Sequence, residues 1–143
     1  MMGIRHKARI VVLQALYESD CAGHDPETSF SWLAEEQQLT ESAISFAKEL
    51  INGVLKNKDR IDAMIQAHAP SWPVVQLSAI NRNILRLAIF EISINNKVPV
   101  KAAINEAVEL AKTFGSENSS KFINGVLGSI SKVTANNGER SIK

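Results

Sequence analysis

The sequence predicts an all-α protein of about seven helices in two related sub-bundles, and three observations lead to this. Apolar residues recur along most of the chain at spacings of three and four, which is the pattern of an amphipathic helix. No stretch alternates apolar and polar residues for long enough to indicate a strand. Two short motifs recur about half a chain apart, which indicates a duplicated helical unit.

Three helices are predicted in the first part of the chain. The first carries an apolar stripe over 8–19 and ends because a glycine and a proline follow it. The second covers 29–38, with Trp32 on its apolar side between two other large apolar residues. The third extends to Asn57, and Thr40 has the hydroxyl side chain of an N-cap.

Four helices are predicted in the rest of the chain. One covers 61–68 and ends before a proline. The segment 77–92 is apolar almost all round, which is typical of a helix at the centre of a bundle. The segment 100–111 has the clearest amphipathic stripe, and Gly115 is expected to end that helix. The last helix carries its apolar residues over 122–130.

The repeated motifs lie in the same order at nearly the same offset. Ala-Leu-Tyr-Glu at 15–18 is echoed by Ala-Ile-Phe-Glu at 88–91, and Ile-Asn-Gly-Val-Leu at 51–55 recurs unchanged at 123–127. Coincidence could produce short helical motifs. An identical string with a glycine inside a helix is harder to dismiss, because that glycine costs about 1 kcal/mol relative to alanine.

The repeat predicts one helical domain over 1–133, built from two sub-bundles that join around 58–76. The mid-helix glycines Gly53 and Gly125 are expected to allow close approach of a neighbouring helix. The polar segment 134–143 is expected to be a disordered tail.

Charge is unevenly placed although the formal net charge is only +1. Residues 1–17 hold three bases and no acid, residues 18–62 carry a net charge of −6, and residues 63–143 carry +4. This asymmetry indicates an anionic partner near the N-terminus. The single cysteine excludes an intramolecular disulfide, and no segment approaches the ~20 apolar residues of a membrane span. We therefore expect a cytoplasmic protein.

Local signals of catalysis are missing from the sequence. His6, His24 and His68 are not spaced with other ligands as in a metal site, and the glycines form no phosphate-binding loop. Only folding could bring a catalytic pair together. We therefore expect a binding protein rather than an enzyme, with no cofactor and no metal.

A basic cluster at the start of the first helix is the first positive signal. Arg5, His6, Lys7 and Arg9 lie where the helix already carries about half a positive charge, so each cation is disfavoured by roughly 0.3–1 kcal/mol. The cluster is either a solvated arm or a site at which cations and free backbone N–H groups face phosphates. The residues alone leave both interpretations open.

The segment 112–122 is the second signal, because it combines two aromatics with lysines and small polar residues. Single-stranded RNA is bound by stacking of bases on aromatics beside cations. Phe114 is in register with a core stripe and is expected to be core. Phe122 is either a core edge or a stacking platform, and its spacing slightly favours the core.

Arg86 stands in an apolar run, where an unpaired charge would be very costly. It either forms a structural ion pair, with an acid such as Glu91 or Glu106, or contacts a partner protein. Composition leaves both possibilities open.

Five segments together are similar to the NusB family of transcription antitermination factors. They are Arg-His-Lys-Ala-Arg at 5–9, Gln-Ala-Leu-Tyr at 14–17, the run from Asn81 to Glu91, the run from Val98 to Lys112, and Lys-Phe-Ile-Asn-Gly-Val-Leu at 121–127. The resemblance covers nearly the whole chain, in the family's order.

This resemblance implies two helical sub-bundles and a non-enzymatic protein that binds boxA-type single-stranded RNA together with NusE, a ribosomal protein of the small subunit. Other Nus factors and RNA polymerase are then indirect partners in transcription of ribosomal RNA operons. The implied RNA-binding residues are Arg5, His6, Lys7, Arg9, Gln14, Asn118, Ser119, Lys121 and Phe122. The implied NusE-binding residues are Tyr17, Asn81 and Arg82. The family context moves Phe122 toward stacking.

Departures from the family pattern and rival functions remain. Position 81 is often acidic in the family and is Asn81 here, which replaces an ionic contact with a neutral hydrogen bond. One rival is a NusB-like RNA-binding domain detached from a ribosomal RNA methyltransferase. Another is a homodimer whose partner surface is covered until NusE or RNA binds.

Overall fold

The computed structural model describes residues 3–69, 71 and 73–142, and within them the protein is all-α. The prediction of about seven helices and no strand is confirmed for this part of the chain. A short 3₁₀ turn precedes the fifth helix and a π-helical turn follows it. The α-helices are α1 (Ile4–Ala22), α2 (Pro26–Glu36), α3 (Glu41–Lys56), α4 (Lys58–His68), α5 (Ala79–Ile89), α6 (Val100–Phe114) and α7 (Ser119–Ile142).

The chain divides into two compact units between Lys56 and Asn57. The first unit contains α1–α3, and α1 packs on both α2 and α3. The second unit contains α4–α7, and within it α5 packs on α4, α6 and α7. The predicted sub-bundles are thus present, but α4 belongs to the second unit and is not part of a connection over 58–76.

Each unit holds one copy of both repeated motifs. In the first unit they lie on α1 (15–18) and α3 (51–55), and these two helices pack together. In the second unit they lie at the end of α5 (88–91) and on α7 (123–127), which also pack together. Equivalent motifs therefore make equivalent helix pairs, which supports the interpretation of two related units.

Local sequence signals set the helix ends of the first unit. Gly23 ends α1 in a left-handed conformation with φ of 71°, which glycine adopts without strain. Asp25 caps α2 by accepting a 3.0 Å hydrogen bond from the Thr28 N–H. Thr40 caps α3 through a 3.2 Å bond from the Ala43 N–H to its hydroxyl, as predicted.

The expected apolar face of α2 was wrong at one position. Phe30 and Leu33 are buried, but Trp32 is 63 % exposed. Because successive residues of a helix are rotated by about 100°, Phe30 and Leu33 share a face while Trp32 points away from Phe30.

The helix α5 is the centre of the second unit, as its all-round apolar pattern predicts. Every residue from Asn83 to Ile92 is buried. Arg86 lies among them, and its guanidinium donates to both carboxylate oxygens of Asp62 on α4 at 2.8 and 2.9 Å. The sequence predicts an ion pair or a partner contact for Arg86. The structure pairs it with Asp62, an acid that the local pattern did not identify.

The junction of α6 and α7 requires a glycine at position 115, because a side chain there would have no space. A Cβ on Gly115 would lie 2.6 Å from the Cβ and Oγ of Ser119. The Ser119 hydroxyl accepts a 3.0 Å hydrogen bond from the Ser116 N–H, which fixes it there. The predicted close approach at Gly125 is wrong, because a Cβ on Gly125 would meet nothing within 4 Å.

The backbone of 134–142 continues α7 where the sequence predicts a disordered tail. Once a helix is nucleated, each added residue contributes a hydrogen bond without a new nucleation cost, so the packed part of α7 can extend it. Lys143 lies outside the described residues. None of the described helices is both long enough and apolar enough to cross a membrane.

Two alanine substitutions should act in opposite directions. Gly115→Ala should lower the free energy of unfolding by about 1–3 kcal/mol, because the new methyl group collides with Ser119. Gly125→Ala should raise it by about 0.5–1 kcal/mol, because alanine favours a helix interior and has open space there. Urea denaturation of both variants measures this, and a destabilised Gly125→Ala would restore the close-approach interpretation.

Candidate nucleic-acid interface

The charged residues in the first turn of α1 destabilise that end of the helix. It holds no acid, and Gly3 at the N-cap supplies no side-chain hydrogen bond to the free N–H groups. An acidic or capping residue would stabilise this helix end, whereas the cations present oppose the helix dipole. Free N–H groups and cations together are what an anion requires.

The four basic residues of this cluster differ in exposure. Arg5 is exposed, His6 and Lys7 are half-buried, and Arg9 is only 4 % exposed. Arg9 is therefore a buried residue of the cluster that the resemblance predicts to bind RNA. Arg5 and Lys7 remain the cations of the cluster that a phosphate could reach.

Phe46 on α3 is a member of this site that sequence analysis missed. The guanidinium carbons of Arg5 and Arg9 lie 5.0 and 5.2 Å from the centre of its ring. Both distances allow cation–π attraction, which holds each guanidinium over the ring. Phe46 flanks the apolar stripe of α3 without belonging to it, and only the packing of α1 on α3 reveals the contact.

The remaining predicted residues of α1 lie further along the helix. Gln14 is half-buried and Tyr17 is 38 % exposed. The hydrogen bond with the Cys21 side chain, and then electrostatic interaction with it, raise the pKa of Tyr17. A tyrosine phenol is neutral near pH 7 even without this shift, so Tyr17 offers a partner an uncharged hydrogen-bonding group on an aromatic ring.

The predicted RNA-binding residues at the start of α7 differ in the same way. Asn118 and Lys121 are exposed and Phe122 is half-buried, so all three present surface. Ser119, which the resemblance also predicts to bind RNA, is only 2 % exposed. Its hydroxyl is used at the helix junction, where it also lies 3.2 Å from the Ser116 hydroxyl.

Asn81 and Arg82, the other expected partner residues, lie in the first turn of α5. Arg82 donates to the carbonyls of Val74 and Leu77 at 3.2 and 2.9 Å, so its guanidinium holds the 3₁₀ turn before the helix. The side-chain oxygen of Asn81 is buried without a hydrogen-bond partner in the described part of the chain. A lone buried acceptor costs about 1–3 kcal/mol, which a donor from a partner could recover.

No group of three potential metal ligands occurs among the residues that the structure describes. His24 lies 3.7 Å from the Glu18 carboxylate, and the His68 ring lies 2.8 Å from the Ser129 hydroxyl. The exposed residues of the candidate site carry cations, amides and aromatic rings, which are groups that can bind a nucleic acid.

A family model for the NusB family matches residues 6–132. The chain belongs to the NusB family. The transcription antitermination protein NusB of Dehalococcoides mccartyi strain CBDB1 is 57 % identical over 131 residues, which cover 92 % of each chain. The NusB protein of Roseiflexus castenholzii is 43 % identical, over 91 % of this chain and 93 % of the relative.

Solved NusB structures have the same fold. T. maritima NusB matches with a TM-score of 0.85 at 34 % identity, over 92 % of this chain and 93 % of that one. A chain from the crystal structure of NusB and NusE in complex with double-stranded RNA matches with a TM-score of 0.84 at 30 % identity. The match covers 93 % of this chain and 99 % of the NusB-like chain in that structure.

Stability measurements should separate the two arginines on Phe46. Arg9→Ala should lower the free energy of unfolding by about 1–3 kcal/mol, because it removes a buried side-chain stem and a cation–π contact. Arg5→Ala should change it by at most about 0.5 kcal/mol, since the side chain is exposed and leaves a positive helix end. Thermal denaturation compares them, and equal effects would contradict the different burial.

Proposed function

We propose that this chain is a transcription antitermination factor that binds boxA-type single-stranded RNA together with NusE and promotes processive transcription of ribosomal RNA operons. It acts by binding, without catalysis, in the cytoplasm. The observation that carries the proposal is the cationic, acid-free first turn of α1 in a chain of the NusB family.

Phosphate binding explains why cations occupy the N-terminal end of α1, where they lower the stability of the helix. Arg5 and Lys7 reach solvent beside the free N–H groups of α1, and Phe46 holds the Arg5 guanidinium near that end. Such a site binds the RNA backbone without reading its sequence. The second RNA contact that we propose is the start of α7, where Phe122 stacks on a base and Lys121 tracks the backbone.

NusE is the proposed protein partner, and Tyr17 and Asn81 are its proposed contacts. Support comes from the similar chain that was solved with NusE and RNA. That RNA is double-stranded, so a duplex competitor belongs in any binding test. The alternative is an RNA-binding domain detached from a ribosomal RNA methyltransferase. The similarity to relatives named transcription antitermination protein NusB, at 57 and 43 % identity, favours the antitermination factor.

The decisive experiment measures affinity for a single-stranded boxA-type RNA against salt, with and without NusE. Without NusE, log K should fall with log salt by about 0.7 for each phosphate neutralised. Arg5→Ala and Lys7→Ala should each make the slope shallower by about that amount. Lys48→Ala, an exposed cation on α3, is the matched control and should leave the slope unchanged.

Saturating NusE should tighten RNA binding, and RNA should tighten NusE binding by the same factor, as linkage requires. Equal RNA affinities with and without NusE would contradict joint binding. A duplex that competes as well as the single strand would contradict the proposed class of RNA.

Phe122 and Phe114 make a matched pair for the stacking contact, because both are half-buried. A stacked base is worth about 1–3 kcal/mol, so Phe122→Leu should weaken RNA binding about tenfold while it retains most of the apolar volume. Phe114→Leu should leave RNA binding unchanged. Filter binding and thermal melts of both variants provide the measurement. Parental RNA affinity in Phe122→Leu would show that its ring is only packing.

A further inference from the structure

Trp32 is a large apolar side chain that the first unit does not use for packing. It is 63 % exposed, while Phe30 and Leu33 complete the buried face of α2. A single exposed apolar residue needs no explanation by itself. Trp32, however, forms part of the wall of a surface depression, and tryptophan is enriched among residues that dominate protein–protein binding.

The depression lies between the end of α1 and the start of α2, entirely within the first unit. Its volume is about 370 Å³, within the usual range for a ligand site. Glu18 and Asp25 supply its carboxylates, and Trp32 supplies its aromatic surface. Asp25 is already engaged as the cap of α2, whereas Glu18 is 41 % exposed beside His24. The remaining lining residues are His24, Thr28 and Ser29.

The segment of the chain that forms this depression carries acidic residues and no lysine or arginine. Between residues 10 and 47 the chain holds seven acids and neither a lysine nor an arginine. At its C-terminal end α1 has no base in the last turn, although cations would be stabilising there. Glu18 and Asp20 therefore oppose the helix dipole at this end. RNA would be repelled from this surface, and a cationic partner would be attracted.

We propose that this depression docks a basic segment of a protein partner, with an arginine or lysine side chain stacked on Trp32 and paired with the Glu18 carboxylate. Tryptophan is the best aromatic partner for a cation, and an adjacent carboxylate adds direct charge pairing. Charge complementarity selects this occupant over a nucleic acid. The surface is distinct from the basic first turn of α1 and does not depend on RNA binding.

The test uses the full chain and a fluorescent peptide of alternating arginine and glycine, with an alternating glutamate and glycine peptide as its counterpart. The arginine peptide should bind, and the glutamate peptide should not. Trp32→Ala should weaken the arginine peptide about tenfold, and Glu18→Gln about threefold. Because Trp32 is exposed, Trp32→Ala should melt at the parental temperature.

Matched controls separate this site from general electrostatic attraction. Val133→Ala removes another exposed apolar side chain and Glu117→Gln another exposed acid, and both should retain parental peptide affinity. Trp32→Ala should also retain parental RNA affinity, so failure of the RNA proposal would leave this result standing. Parental peptide binding in Trp32→Ala overturns the docking proposal. So does a Trp32→Ala variant that loses only self-association in sedimentation, because the occupant would then be a second copy.

Discussion

The packing of α4 against α5 depends on the neutralisation of the buried Arg86 charge. Arg86 lies in a run of α5 in which every residue is buried, its side chain is only 7 % exposed, and the Asp62 carboxylate pairs with its charge. Removing one partner of a buried ion pair costs about 3–5 kcal/mol, so the pair fixes how α4 lies on α5. Asn83 adds a 3.2 Å contact from its side-chain oxygen to the same guanidinium. Arg86 and Asn83 thus serve the packing of α5, and Arg82 holds the 3₁₀ turn that precedes this helix.

Comparison of the two copies of the repeat shows which of its positions are buried in the second unit but reach the surface in the first. Phe90 and Glu91 of the second copy are buried, but their counterparts Tyr17 and Glu18 reach the surface. An aromatic residue and a glutamate thus occupy equivalent places in both copies. In the first unit, where they reach the surface, they do not form part of the core. Tyr17 and Glu18 are also the residues of this motif to which we assign partner contacts, in two separate proposals.

Helices and their ends could be predicted from the sequence, because caps and apolar spacing are local properties. Thr40 and Gly115 were identified in this way. Burial at helix margins could not be predicted. Arg9 is buried and Trp32 is exposed, the opposite of what their residue types indicate. An apolar stripe in the sequence does not reveal which of its flanking residues a neighbouring helix covers. The open space beside Gly125 and the contact of Phe46 with two arginines likewise depend on packing. The resemblance predicted the site residues by position, and the structure shows which of the predicted residues are exposed and which are buried.

The charge changes sign along α1, which makes the first unit an electric dipole. An external electric field can therefore orient this unit. The helix has 19 residues and is therefore roughly 28 Å long, with reachable cations at one end and carboxylates at the other. In the field of a polyanion such a body experiences a torque before it makes any contact, and its basic end turns toward the polyanion. Productive encounters then become a larger share of all collisions, which raises the association rate constant at low ionic strength. Salt would remove this advantage by screening the field over about 8–10 Å, even where the final contacts survive.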